Sequence, residues 1–244
     1  MSMSSDPVVF LPGMMCDARL FAPQIADLSR DTAVTVAPIT CGERIEEIAS
    51  NLLDLLPARF ALAGLSMGGI VAMELLRRAP ERITKLALMD TNPLAETPQS
   101  AAGYEPFVAK LRAGLMSEAV AMMLGGDVLA PGPARAEVLA LAALMAQGLG
   151  AEAVIRQVRA LQRRRDYQGT LRRCKVPTLI LCGAEDRLTP PRRHEFMAGL
   201  MPNARLVTVE GAGHLPVLEQ PQIVIAALRG WLAQPLVLQN RVRA

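Results

Sequence analysis

Histidine is scarce in this chain: two occur among 244 residues, His194 and His214. Without an HExxH pair or any comparable cluster, metal-assisted hydrolysis lacks its ligands. The four cysteines, at 16, 41, 174 and 182, have no metal-ligand spacing, and no strand-linked GxGxxG appears. The expectation is no metal and no dinucleotide cofactor. Apolar residues make up 51% of the chain, yet no run reaches the roughly 18 residues a membrane span needs. The opening, Met1-Ser2-Met3-Ser4-Ser5-Asp6-Pro7, has neither the basic start nor the apolar stretch of a secretion signal. Net charge is only +3, and the basic patch from Arg156 to Lys175 lacks interleaved aromatics, so nucleic acid is not an expected partner. Cys182 lies in an apolar strand pattern with Cys174 near its start, which reads as buried thiols in a cytoplasmic protein. No internal repeat or low-complexity segment is present. What remains is small-molecule chemistry on one compact domain with room for an inserted subdomain.

What is present begins with Gly64-Leu65-Ser66-Met67-Gly68. It lies between a short apolar run, Phe60-Ala61-Leu62-Ala63, and an amphipathic stretch from Gly69 to Arg78. A serine on a sharp turn between strand and helix is held off the sheet with its hydroxyl exposed. The flanking glycines are needed because the backbone turns tightly and a side chain would strike the neighbouring strand or helix. The helix that follows aims its unpaired N-terminal amides at the same spot, which suits a developing negative charge. The pattern nominates Ser66 as a nucleophile.

An activated serine needs a base within hydrogen-bond reach, and histidine exchanges protons near neutral pH. His194, in Pro191-Arg192-Arg193-His194-Glu195-Phe196, reads as the first turn of a polar-faced helix, where a solvated surface histidine is the simpler reading. His214 lies in the glycine-rich loop Glu210 to Pro216, after the apolar strand Arg205 to Val209. Loops at the carboxyl edge of a parallel sheet carry chemistry, so His214 is the better base. A third group must orient the imidazole. Asp186 follows the apolar strand Thr178 to Cys182 through Gly183-Ala184-Glu185, and Glu185 itself points elsewhere from such a segment. Asp90 ends the strand Lys85 to Met89 and is the more serious competitor. As a turn or helix cap before Thr91-Asn92-Pro93 it would need no catalytic role. Asp186 is preferred.

In the order Ser66, Asp186, His214, the chain resembles the α/β-hydrolase family, whose members run nucleophile, acid, base. The stretch from Pro177 to Pro190 looks like that family's strand-to-acid segment. The stretch from Gly213 to Pro221 looks like its histidine loop and the start of its last helix. With the N-terminal segment, the resemblance spans nearly all the chain outside residues 93 to 168. It implies that Val8 to Leu11 leads into an oxyanion loop, Pro12-Gly13-Met14-Met15-Cys16-Asp17. There the amide of Met14 pairs with that of Met67. Many members carry His-Gly where this chain has Pro12-Gly13, which keeps the amide donors but removes a histidine that often braces the loop. Serine at the elbow argues against the family's dehalogenases and epoxide hydrolases, which need a carboxylate nucleophile. Cys16, beside this loop, has no histidine nearby in sequence to activate it.

Alternating strand and helix patterns predict an α/β fold, a three-layer α/β/α sandwich whose parallel sheet has about six strands. The expected strands are Val8 to Leu11, Ala33 to Ala37, Phe60 to Leu65, Lys85 to Met89, Thr178 to Cys182 and Arg205 to Val209. Core helices are expected over Leu20 to Ser29, Arg44 to Leu56, Met67 to Arg78, Arg192 to Met201 and Pro221 to Ala233. Residues 1–92 and 169–244 would form the core, and residues 93–168 a helical cap inserted over the site. The cap patterns are Tyr104 to Leu124, Ala134 to Leu149 and Ala151 to Arg164. Its methionines, including Met116, Met122, Met123 and Met145, suit an adaptable pocket, although core packing is the simpler reading. Arg156, Arg159 and Arg163 share one helical face, most simply a solvated one. Arg165-Asp166 resembles a step at the cap's exit in relatives, where a structural ion pair is expected. The tail from Gln234 to Ala244 mixes apolar and basic residues.

The resulting expectation is a serine hydrolase acting on a small carboxylic ester or thioester through an acyl-enzyme. The alternative is carbon–carbon cleavage or elimination on an anionic substrate, which arginines from Arg156 to Arg165 pointing into the pocket would favour. A ligand-binding protein on the same fold is a third, less favoured reading.

Overall fold

The computed structural model describes residues 6–125 and 127–235. Most of the tail from Gln234 to Ala244, and Gly126 between the expected helical patterns ending at Leu124 and starting at Ala134, lie outside those residues. Six strands form one sheet among the described residues: β1 (Val8–Leu11), β2 (Val34–Val36), β3 (Phe60–Leu65), β4 (Ile83–Met89), β5 (Thr178–Gly183) and β6 (Ala204–Val209). Their order is β2-β1-β3-β4-β5-β6, and every pairing is parallel. The expected wholly parallel sheet is the one observed.

Side chains alternate across the pleat, and here both faces are covered. Val8, Phe10 and Ala61 join one apolar core, while Val9, Leu11 and Leu62 join the other. That double burial is why these strands read as continuous apolar runs instead of alternating ones. Helices α1 (Ala22–Leu28) and α12 (Pro221–Leu232) contribute to the first core. Helices α2 (Ile45–Leu53), α3 (Met67–Arg78) and α10 (Pro191–Leu200) contribute to the second. Phe10 stacks on Phe21 with ring centroids 4.6 Å apart, a contact worth about 0.5–1.5 kcal/mol beyond the buried area. Trp231 is buried in α12 and donates its indole N–H to the Pro177 carbonyl at 3.3 Å, pinning that helix beside β5.

β4 starts two residues before the expected Lys85, at Ile83. Thr84 hid the start because it is polar, yet it is buried, as is Lys85. The ammonium of Lys85 is absorbed by the Leu232 carbonyl at the end of α12.

Between β4 and β5 the chain builds α4 (Pro98–Ala102), α5 (Glu105–Arg112), α6 (Met116–Leu124), α7 (Arg135–Leu149), α8 (Ala151–Gln162) and α9 (Gln168–Arg172). The single helix expected over Tyr104 to Leu124 is two helices. Gly114 breaks it with φ 77°, a conformation that ends a right-handed helix and that glycine adopts without steric cost. The last of the chain, α11 (Pro216–Glu219), leads into α12.

The arginines at the end of this insertion are paired, not simply solvated. Arg156 Nε donates to the Thr40 carbonyl at 3.3 Å, Arg159 pairs with Glu105 at 2.5 Å, and Arg163 pairs with Glu43 at 3.3 Å. The expected Arg165–Asp166 pair is absent. Arg165 reaches Glu46 at 3.8 Å, whereas Asp166 accepts the Gln168 N–H at 2.9 Å at the start of α9. No single helix among the described residues is long and apolar enough to cross a membrane.

Candidate active site

Ser66 closes β3 and opens α3 with φ 53° and ψ −117°. For a residue with a Cβ this backbone costs about 1–3 kcal/mol and must be held by its surroundings. It is held twice: Ser66 N–H donates to the Met89 carbonyl at 2.9 Å, and the Thr91 hydroxyl donates to the Ser66 carbonyl at 2.7 Å. The glycines do what the sequence required of them. A Cβ at Gly64 would collide with the Gly68 backbone, and one at Gly68 with the Leu11 backbone.

The structure brings Ser66, His214 and Asp186 together at the carboxyl edge of the sheet. His214 Nε2 lies 2.9 Å from Ser66 Oγ, and its Nδ1 lies 2.9 Å from Asp186 Oδ2. Asp186 also accepts from the Leu188 and Thr189 amides at 2.8 and 2.9 Å and from the Thr189 hydroxyl at 2.5 Å. Burial opposes ionisation of Asp186. The charge of His214, with hydrogen bonds from His214 and Thr189, outweighs it and holds the carboxyl well below the usual carboxylate range. An ionised Asp186 fixes the proton on Nδ1, leaving Nε2 free to accept from the serine hydroxyl.

The loop after β1 lies against the elbow: a Cβ on Gly13 would sit 3.5 Å from the Ser66 Cβ. Met14 and Met67 line the same cavity as Ser66, a space of about 260 Å³. Among the described residues, neither the Met14 nor the Met67 amide donates to another backbone or side-chain group. Two residues with unpaired N–H groups therefore line the cavity that holds Ser66, which makes those amides candidates for stabilising an oxyanion.

Residues 8–227 match the model of the alpha/beta hydrolase family. The chain belongs to the α/β-hydrolase family. It is 30% identical over 200 residues to a pimeloyl-[acyl-carrier protein] methyl ester esterase from Aromatoleum aromaticum, covering 74% of this chain and 77% of that one. A thermophilic esterase from Thermogutta terrifontis superimposes with a TM-score of 0.80 at 26% identity, over 95% of this chain and 90% of that one. The enol-lactonase from Burkholderia xenovorans LB400 shares the fold, with a TM-score of 0.83 at 24% identity over 94% and 92% of the two chains.

In this hydrolase the loop that lacks the frequent histidine has a different brace. Met15 takes φ 65°, and its N–H donates to Oε1 of Gln157 at 3.0 Å. Gln157 lies on α8, is fully buried, and returns its own amide to the Ile39 carbonyl at 3.4 Å. Sequence reasoning missed it. The only signal was an uncharged polar residue on the apolar face of an amphipathic helix. Glu219 was missed too: its carboxylate accepts from the amides of Gly213 and Leu215 at 2.9 Å and of Ala130 at 2.7 Å, fixing the loop that carries His214.

Two readings need correction. His194 is not a solvated surface residue: it is fully buried, and its Nε2 accepts the Thr91 N–H at 3.0 Å. Burial pushes its imidazole down to about 4, so it stays neutral and supports the Thr91–Ser66 brace. Asp90 is no exposed turn or cap. It is buried at φ 42°, and its Oδ1 accepts the Gly183 N–H at 2.9 Å. One oxygen of Asp90, one of Asp186 and a His214 ring nitrogen lie within 4.8 Å of one another. Burial and the nearby Asp186 push the Asp90 carboxyl well above its ordinary range, so it stands neutral behind an ionised Asp186. Cys16 is buried beside the elbow, and burial with the charge of Asp17 pushes its thiol up to about 12. Glu185 is exposed, as expected for a side chain directed away from the histidine.

Of the four insertion methionines singled out, Met123 lines the cavity, Met145 is core and Met122 is exposed.

Proposed function

We propose that this chain is a serine hydrolase that cleaves a small carboxylic ester or thioester through an acyl-enzyme intermediate. The carrying observation is the pair of 2.9 Å contacts that His214 makes, one to Ser66 Oγ and one to Asp186. Ser66 Oγ attacks the substrate carbonyl as Nε2 of His214 takes its proton. The amides of Met14 and Met67 hold the oxyanion, and each such donor is worth about 3–4 kcal/mol in the transition state. His214 then protonates the departing alkoxide or thiolate. It next takes a proton from water, which attacks the acyl carbon and frees Ser66. Asp186 keeps the ring oriented throughout. Residues 93–168 are assigned as the cap over this cavity, and the cytoplasm as its compartment, with a small molecule as substrate. The esterases among its relatives support ester chemistry.

The alternative, carbon–carbon cleavage or elimination on an anionic substrate, would be favoured by arginines from Arg156 to Arg165 pointing into the pocket, where they would meet a substrate carboxylate with an unbalanced positive charge. Arg164 is the arginine that lines the cavity, and it is already paired with Glu96 at 3.0 Å. Ester hydrolysis is therefore the better reading.

A fluorophosphonate is expected to add one phosphonyl group at Ser66, located by mass spectrometry, as hydrolysis of short p-nitrophenyl esters disappears in step. Label on another residue, or turnover by fully labelled protein, would remove Ser66 from the mechanism.

Gln157→Leu keeps the bulk and loses both hydrogen bonds. It is expected to lower kcat about 10- to 100-fold, less than loss of an oxyanion donor itself, with KM nearly unchanged. Gln157→Glu keeps an acceptor for Met15 and should recover much of the rate. Equal damage from both variants would mean that the residue only fills space.

A further inference from the structure

The cavity in front of Ser66 has chemically distinct walls. Its apolar lining is Met14, Met67, Ile70, Met123, Leu161 and Leu188. Glu96, Tyr104 and Arg164 supply a polar wall made by the insertion. Glu96 and Arg164 form an ion pair at 3.0 Å, with side chains only 8% and 9% exposed. Two charges are thus held almost out of water at the edge of a small reactive space. Such a pair is costly to bury and persists only where its remaining hydrogen bonds are met.

Those bonds are met very unequally. Both oxygens of Glu96 are engaged: Oε1 is ion-paired with Arg164 at 3.0 Å and accepts from the Tyr104 hydroxyl at 3.5 Å, and Oε2 accepts from the Ser100 hydroxyl. Burial and the charge of Glu96 push the Tyr104 phenol above its ordinary range, which keeps it a donor. Arg164 donates from Nε to the Leu94 carbonyl at 2.9 Å, and its Nη2 lies 3.0 Å from Glu96 Oε1 in the ion pair. No protein partner for its Nη1 is found among the described residues. Guanidinium carries five N–H donors in a fixed plane and no acceptor. The wall therefore offers spare donors with their charge already balanced, beside a carboxylate whose two oxygens both already have partners.

We propose that the Glu96–Arg164 pair is the specificity element of this site, selecting a substrate whose end away from the scissile ester carries a neutral hydrogen-bond acceptor, such as a carboxamide or a hydroxyl. This rests on reading Ser66 as the nucleophile. A neutral acceptor entering the cavity takes the free donors of Arg164 and loses little hydration. A free carboxylate there would give up much stronger hydration for a pair whose net charge is zero, and an ammonium would meet the spare donors head-on. A space of about 260 Å³ corresponds to about nine water-sized units at ~30 Å³ each. That fits an acyl ester of about four to six carbons with one polar end.

Matched p-nitrophenyl esters of this length, ending in methyl, carboxamide, carboxylate or ammonium, test the proposal in the wild type, Glu96→Gln and Arg164→Gln. The wild type should give the highest kcat/KM with the carboxamide, and at least tenfold lower values with both charged ends. Glu96→Gln unmasks the guanidinium and should raise the carboxylate-to-methyl ratio tenfold or more. Arg164→Gln unmasks the carboxylate and should raise the ammonium-to-methyl ratio instead. A folding defect lowers all four substrates together and cannot exchange their order. Ratios that stay within twofold of wild type in both variants would overturn the proposal. Calorimetric binding of the corresponding methyl esters to Ser66→Ala proteins carrying the same changes reads the same preference without turnover. An inert wild type with the predicted binding order would remove the hydrolase reading and leave the pair's role standing.

Discussion

Ser66→Ala is expected to lower kcat for short esters by about 10⁴- to 10⁶-fold, the range seen when the nucleophile of a serine–histidine–aspartate system is removed. The size of the effect depends on whether anything nearby can substitute, and the neighbours are poorly equipped. Cys16 is the nearest thiol, but burial and Asp17 push it up to about 12, so almost none is thiolate at neutral pH. The Thr91 hydroxyl is close, yet it is committed to the Ser66 carbonyl at 2.7 Å. The oxyanion amides belong to the backbone and survive the substitution, so a small residual rate is expected. The protein itself should not suffer. The unusual backbone at 66, φ 53°, is imposed by bonds to Met89 and Thr91 that alanine retains. Unchanged thermal unfolding together with the lost rate would separate chemistry from stability. A variant keeping more than about 1% of the wild-type rate, when only the uncatalysed background and the oxyanion amides should remain, would show that another group attacks the substrate.

Which parts of this site were readable from the chain depends on how far apart the interacting residues lie. The elbow was legible because its constraints are local: Gly64, Ser66 and Gly68 collide or fit within one turn. The placement of Asp186 and His214 was legible because each follows an apolar strand, and a parallel sheet brings all such strand ends to one edge. The supports were not legible. Gln157 reaches Met15 across 142 residues, His194 reaches Thr91 across 103, and Asp90 reaches Gly183 across 93. Nothing in their own neighbourhoods indicates a partner, and each looks like an ordinary surface or capping residue until the sheet has formed. The same holds for Arg164. Its run of five arginines between 156 and 165 reads as one basic patch, and only packing singles out one of them for the cavity. Strand edges failed for a different reason: Thr84 is polar, and only the packed sheet reveals that it is buried.

Asp186→Asn is expected to lower kcat by about 10⁴-fold while leaving the fold intact. The aspartate accepts the Nδ1 proton of His214, whereas an asparagine amide would donate to Nδ1 and send the ring proton to Nε2. The base would then face Ser66 with its proton already in place. Asp90 cannot take over, although it lies within 4.8 Å of the same atoms. It is neutral, and its Oδ1 is held by the Gly183 amide. Asp90→Asn, which imitates the protonated carboxyl, should therefore change kcat no more than a few-fold. The two carboxyls also pull the stability curve in opposite directions. Asp186, with a depressed value in the folded protein, adds stability above the unfolded value of about 4 and loses it as pH falls. Asp90, raised by burial and facing Asp186, His214, Cys182 and Glu219, binds a proton the unfolded chain has released. Its contribution is full below about 4 and declines as pH rises. Thermal unfolding from pH 4 to 8 should thus show Asp90→Asn gaining on wild type as pH increases, and Asp186→Asn falling behind over the acid part of that range. Parallel curves for wild type and Asp90→Asn would mean that both carboxyls are ionised in the folded protein. The Asp90 charge would then be available to His214, and the loss expected from Asp186→Asn would shrink accordingly.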